Sequence, residues 1–515
     1  MTAGPSHPGE RAWVYWTTDG SVPQGKNGHA TSGFSAPLLP TLSEWDTELW
    51  GYIRHFKGSI PGQPEGTLIR YVTSLEAVNG RETFADDGKG GAFYVADDPL
   101  PDWTRDAVIY QIFVDRFAPQ PGEDWLKPET PAGFYGGKIN GITAKLDYIA
   151  DLGFNTLWLT PIFPSPSHHG YDATDLFTVE PRLGTLEDFQ RLTHEAHKRG
   201  IRILLDFVPN HISSDHNIFR QAIADPNSPY RTWFNFTHYP DEYENFFGVK
   251  SLPQLNLSDP GARQYMLDAA RFWLKQGADG FRVDYAIGPV VDFWADFRRA
   301  TREIKPDCWT FGEVVDPPDV QLNFYGGLDG CLDFMLLEAM RQTLAYDRWD
   351  GEKLAAFLER HEAAYPDDFS RPSFLDNHDM NRFLWAALNE KDRLRQAALL
   401  QFALAGPPVV YYGTEVGLSQ ERDTRQGTRG IPEESRLPML WGDQQDKALV
   451  DFYRDLIHIR KQYPVLSRGR RKTLTAEKSI LIFVREWEEQ CLGVVLNLSG
   501  NTQLIKLPFS AKSIL

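Results

Sequence analysis

The chain has 515 residues, 42% of them hydrophobic, with a formal net charge of −17 and a pI of about 5.3. That length predicts two to four domains and a large core. The acidic balance argues against nucleic acid or an anionic membrane surface as the main partner, and leaves a neutral polymer open along with almost any other soluble substrate. Three scattered cysteines, Cys308, Cys331 and Cys491, make neither a disulfide framework nor a zinc pattern, and each reads as a buried free thiol.

In chain order, the first residues lack a basic stretch followed by an apolar run, so no signal peptide is read and the cytoplasm is the expected compartment. Residues 1–103 are rich in Gly, Pro and Thr, with alternating runs at Ala12–Trp16 and Thr67–Val72 and turn chemistry at Asp86-Asp87-Gly88 and Gly90-Gly91. This predicts a small antiparallel β-sandwich. From Ala107 the pattern alternates. Strands are predicted at Val108–Phe113, Thr156–Leu159, Ile201–Leu205, Gly280–Asp284, Thr310–Val314, Gly330–Phe334, Ser373–His378 and Val409–Tyr412. Helices are predicted at Ile142–Leu152, Leu186–Arg199, Ala262–Lys275 and Val290–Ile304. Eight apolar strands alternating with helices predict an α/β fold, a closed (β/α)8 TIM barrel over residues 104–464.

The link from the third strand to the helix near Ala262 runs to about fifty residues, too long for an ordinary loop. It is rich in aromatics and predicts an inserted small domain at about 212–258. Ala397–Tyr412, broken by Gln401 and Gly406-Pro407-Pro408, reads as a buried helix entering a buried strand and not as a membrane span. Residues 465–515, with runs at Ile480–Val484 and Leu492–Leu496, predict a hairpin in a short C-terminal β-domain.

Four strands end in acids or histidines: DFVPNH (Asp206–His211), GFRVD (Gly280–Asp284), FGEVVD (Phe311–Asp316) and FLDNHD (Phe374–Asp379). In an extended strand Arg282 and Asp284 share one face. A carboxylate beside a guanidinium stays ionised, as a nucleophilic carboxylate must, although a structural ion pair explains that stretch equally well by itself.

Together and in this order, the four stretches resemble the conserved regions of the α-amylase family, glycoside hydrolase family 13, from about Ala107 to about Pro464. The resemblance implies that Asp284 is the nucleophile of a retaining glycosidase and Glu313 its acid/base, about 5 Å apart and oppositely tuned. It implies that Asp379 is a third carboxylate stabilising the transition state, that His211 and His378 hydrogen-bond the sugar, and that Asp206 braces Arg282 beside the substrate. Ser167-His168-His169-Gly170-Tyr171-Asp172 resembles the family's HGYD stretch, so Tyr171 would stack on a sugar ring and Asp172 would bind a terminal glucose. Arg382 matches an Arg that accompanies the third carboxylate. The long insertion resembles the family's domain B. The N-terminal module resembles those that bind glucan or build a homodimer, though a plain packing domain fits it too.

The implied partner is an α-glucan, and the implied reaction is hydrolysis of mainly α-1,4 bonds in maltodextrins or cyclodextrins. Transglycosylation, α-1,6 action and non-catalytic glucan binding stay open. Tyr285 after the nucleophile departs from the usual Ala, Val or Thr. Leu252-Pro253-Gln254-Leu255-Asn256 leans towards the neopullulanase and cyclomaltodextrinase group, nearest which maltogenic amylases also stand. Lys138 stands where relatives place a calcium-binding Asp, so no metal is expected there and no cofactor is required. Asn210 could still ligate calcium at a second family site.

Overall fold

The computed structural model describes residues 1–77, 79–88, 90–95, 100–425 and 432–505; positions 506–515 of the expected C-terminal domain lie outside these residues. Eight parallel strands form the centre: β1 (Ile109–Ile112), β2 (Thr156–Leu159), β3 (Arg202–Phe207), β4 (Gly280–Val283), β5 (Trp309–Gly312), β6 (Gly330–Cys331), β7 (Ser373–Phe374) and β8 (Pro408–Tyr411). Each pairs with its sequence neighbours except β6 with β7, and β8 pairs with β1. The ring closes between β6 and β7, where the Cys331 N–H donates to Ser370 O at 3.1 Å and the Asp333 N–H to Pro372 O at 3.0 Å. Short apolar strands buried on both faces are what a barrel wall requires. Trp158, Leu204, Trp309, Phe311, Phe374 and Val409 belong to one buried cluster of strand residues.

The helices start where local chemistry permits. Leu186–Lys198 opens with a capping box between Thr185 and Asp188, and Pro260–Lys275 opens on an Asp259 cap with Pro in its first turn. The predicted helix at 142–152 is two, Ile139–Ala144 and Leu146–Leu152, broken at Lys145. The insertion between β3 and Pro260 carries the helix Asn217–Ala224 and a ribbon of Phe236–His238 with Glu242–Tyr243. It is tied to the barrel where His211 bridges Gln254.

The N-terminal β-domain has two halves that share one long strand. Phe34–Asp46 pairs first with Gly9–Thr17 and then with Gly51–Lys57. It docks on the barrel through Arg70, which contacts Asp292 and Asp296 beside the helix Phe293–Ile304. At the other end, Arg470–Glu477, Ile480–Trp487 and Gln490–Asn497 form an antiparallel meander. Its first strand, RRKTLTAE, lacks an apolar alternation and was not expected from the sequence. Cys308 and Cys331 are buried but Cys491 is exposed on this meander, which corrects the expectation of three buried thiols. Among the described residues no helix is long and apolar enough to cross a membrane.

Candidate active site

Strand register brings the charged residues together. Asp206 on β3 lies opposite Arg282 on β4, and Arg282 opposite Phe311 on β5. The ladder runs past the strand ends, with the Asp284 N–H donating to Phe207 O and the Glu313 N–H to Val283 O, both at 2.8 Å. Asp206, Arg282, Asp284 and Glu313 are therefore fixed by backbone pairing before any side chain turns.

Arg282 is fully buried and faces three carboxyl groups. Its Nη1 donates to Asp206 Oδ1 and to Asp284 Oδ1, each at 2.8 Å, and its Nη2 lies 2.9 Å from Glu313 Oε2. Asp206 Oδ2 also accepts from Trp158 Nε1 at 3.0 Å and from the Tyr171 hydroxyl at 2.8 Å. The Tyr171 ring lies parallel to His378, and its oxygen is 2.5 Å from His378 Nε2. Gln111 Nε2 is 2.9 Å from the other His378 nitrogen. Asp379 accepts from Arg436 Nη2 at 2.9 Å, and Arg436 Nε also holds the His378 carbonyl at 2.7 Å. Tyr285 stands at φ 42°, a strained conformation for a bulky side chain, and its N–H donates to Glu313 Oε2 at 3.2 Å.

One guanidinium cannot balance three carboxylates in a buried setting. Burial pushes both Asp284 and Glu313 up to about 7, with Arg282 opposing and the neighbouring carboxylates adding to the rise. Burial likewise lifts Asp206 to about 6. Burial would raise Asp379 too, yet His378, Arg436 and Arg282 together hold it below the usual range. Burial pushes His378 down to about 3 and His211 to about 4, so both are neutral donors or acceptors. The expectation that Arg282 alone holds Asp284 low is thereby corrected. Asp284 and Glu313 act as one coupled pair that keeps a proton near neutrality. That proton belongs on Glu313, because Asp284 takes an aligned hydrogen bond from Arg282 and Glu313 takes none from it.

These groups open onto a cleft of about 670 Å³ at the strand ends, lined by Tyr171, His211, Asp284, Glu313 and Asp379 among others. A catalytic-domain description, "Alpha amylase, catalytic domain", matches residues 111–445. The chain belongs to the α-amylase family. As such it is a glycoside hydrolase. It is 41% identical to alpha-amylase 2 of Dictyoglomus thermophilum over 79% of this chain and 72% of that protein. It is 34% identical to neopullulanase 2 of Thermoactinomyces vulgaris over 85% and 79% of the two chains. Among solved structures, a cyclic α-maltosyl-(1→6)-maltose hydrolase from Arthrobacter globiformis superposes with a TM-score of 0.71 at 34% identity, covering 77% of this chain and 92% of that one.

Within this α-amylase-family cleft, four predicted residues sit elsewhere than on the sugar side. Arg282 and His378 are fully buried behind the lining residues, so Arg282 positions carboxylates and does not face the cavity. Arg382 is also fully buried, donating from Nη1 to Tyr412 O at 2.9 Å and from Nε to Ser435 O at 3.0 Å. This corrects its assignment beside Asp379: the turn into the helix Phe383–Ala386 aims its side chain behind β8. Asp172 is held by the hydroxyls of Ser165 and Ser167 and does not line the cleft. The sequence reading missed Arg436 and Glu433, which do, while Phe246 and Phe247 of the aromatic-rich insertion wall the cleft as expected of it. Phe246 stacks on His211 at 4.5 Å and packs with Phe247 against Tyr285.

Around Lys138 and Asp115 the residues present do not fit a calcium cage. Lys138 Nζ lies 2.7 Å from Glu123, and Asp115 is occupied by Arg116 and by the backbone N–H groups of Tyr135 and Gly136. Asn210 Oδ1 is buried without a partner, but among the described residues no group of three His, Cys, Asp or Glu gathers to hold a metal.

Proposed function

We propose that this chain is a retaining hydrolase of α-1,4 bonds in short or cyclic α-glucans, with Asp284 as nucleophile, Glu313 as acid/base and Asp379 stabilising the developing charge on the sugar. The observation that carries the reading is the shared Arg282 grip on Asp284 and Glu313, which leaves one proton between two carboxyls at the open end of the barrel. Glu313 would protonate the leaving oxygen as Asp284 attacks the anomeric carbon; the same Glu313 would then deprotonate the water that releases the sugar. Product profiling on β-cyclodextrin, pullulan and soluble starch tests it. Fast cyclodextrin opening with slow starch cleavage is expected, and untouched cyclodextrin with fast starch cleavage would overturn the substrate class.

Transfer in place of hydrolysis is a second reading. Phe247 and Val315 are 76% and 60% exposed and line the mouth beside Tyr285, an apolar rim suited to a sugar acceptor rather than water. Products longer than the substrate from concentrated maltotriose would establish it; glucose and maltose alone would exclude it.

The pH profile follows from the coupled pair. A working acid must be protonated, so kcat/KM should fall as pH rises through about 7. Activity should also fall on acidification once Asp284 takes a proton, while Asp379 stays ionised throughout. Initial rates across the range check this; a rate still rising above pH 8, about one unit past that value, would contradict Glu313 as the acid.

No calcium is needed in this reading. An excess of chelator should leave Tm unchanged, and a fall of many degrees would refute it. The N-terminal module carries an exposed aromatic cluster of Trp45, Trp50 and Tyr52, which supports a homodimer through that face. Sedimentation of a pure monomer at tens of micromolar protein would remove that assignment. The cytoplasm remains the proposed compartment.

A further inference from the structure

A second cavity, of about 740 Å³, lies at the other end of the barrel. Thr104 and Arg105 lead into β1, Ser370 and Arg371 into β7, and Gly406 and Pro407 into β8, so its floor is the face where strands begin. Its roof is the first strand of the C-terminal meander, from Arg470 to Thr473. In a chain of net charge −17, seven Arg and Lys side chains line this cavity against three carboxylates.

Several of the cations are already engaged. Arg471 pairs with Glu362 at 3.0 Å, Arg468 with Asp102 and Asp106, both at 2.7 Å, and Arg485 donates to backbone carbonyls. Arg371, Arg470 and Lys472 form no ion pair within 4 Å among the described residues; Arg371 stacks on Tyr365, 4.7 Å from the ring centre, and its charge also helps to hold the buried Asp333 low. The remaining carboxylates, Glu359 and Asp367, are exposed. Beside Arg371, Ser370 is 6% exposed, and its hydroxyl has no hydrogen-bond partner. Burial, with Arg471 and Arg371 close by, pushes the Arg485 guanidinium down to about 10.

We infer that this cavity binds a small phosphate-bearing ligand. Guanidinium forks match phosphate oxygens two at a time, and a hydroxyl donor at the same wall supplies a further bond. A dianion would balance Arg470 and Lys472, which form no ion pair among the described residues. The stacked Tyr365 and Phe369 rings add an apolar wall for the body of the ligand, and the volume is that of an ordinary small-molecule site. Inorganic phosphate and a phosphorylated sugar share this chemistry.

The test uses the full chain. Inorganic phosphate and glucose 1-phosphate are titrated by calorimetry and by thermal shift, against sodium chloride at matched ionic strength. A Tm rise of about 3 °C at saturating phosphate is expected, with none from the chloride control. Arg371→Gln and, separately, Lys472→Gln should weaken phosphate binding about tenfold while leaving maltodextrin hydrolysis unchanged. Lys472 is exposed, so that variant keeps its fold even if the Arg371 variant does not. Tighter binding of glucose 1-phosphate than of phosphate would assign the whole cavity, and equal binding the phosphate contacts alone. No Tm rise beyond the chloride control, or equal affinity in the Lys472 variant and the unaltered chain, would overturn the proposal.

Discussion

Asp284→Asn should fold, bind maltodextrin and lose catalysis by a factor of about 10³ or more in kcat. The amide matches the carboxyl in size and can keep the Arg282 contact, but it cannot form a glycosyl ester. The same substitution should change the pH dependence of stability. Asp284 titrates well above an unfolded aspartate, so the native state binds more protons than the unfolded one between the two pKa values. Native stability is therefore lost as pH rises through that window, and the loss is complete above about 7. Asn cannot ionise and escapes that loss. The variant's Tm, measured relative to the unaltered chain, should climb from pH 4 towards pH 8, spanning the two ends of that roughly three-unit window. An inactive variant whose relative Tm stayed flat would show that burial does not raise Asp284 in the folded chain, and full activity would sink the mechanism.

Much of the barrel was legible because buried parallel strands are short apolar runs. β2 matches its predicted bounds, and the other strands differ by a few residues at their ends. The β6 and β7 predictions ran long because their apolar residues continue beyond the last ladder pair into the loops that carry the site. The first strand of the C-terminal meander was hidden because RRKTLTAE packs one partly buried face and shows no alternation. At the site, residues set on strand ends were readable, since motif and register agree. Arg436 was not, because it reaches Asp379 from a loop 57 residues downstream, where no periodicity marks it. Arg382 misled for the opposite reason: proximity in sequence to Asp379 says nothing about where a helix start turns its side chain.

Arg282→Met should be the most destabilising single change at the site. Met fills similar volume but leaves Asp206, which has no solvent exposure, and the Asp284–Glu313 pair without their shared cation. Breaking a buried ion pair from one side costs about 3–5 kcal/mol, because the remaining charge is stranded. The sign with pH separates this from a packing defect. Asp206 sits near 6 even with Arg282 present, and removing the cation raises it further. The variant's native state should then bind extra protons over a wider range, so its deficit should be small near pH 4, where the carboxyls are protonated, and should grow steadily towards pH 8. Arg282→Lys should recover only part, since an ammonium cannot span the three carboxyls as the planar fork does. Denaturant unfolding of both variants at the two pH values decides it. A deficit independent of pH would mean that Arg282 acts through packing on Trp158, whose ring centre lies 5.2 Å from the guanidinium, and that the charge balance beneath Asp284 and Glu313 is set by something else.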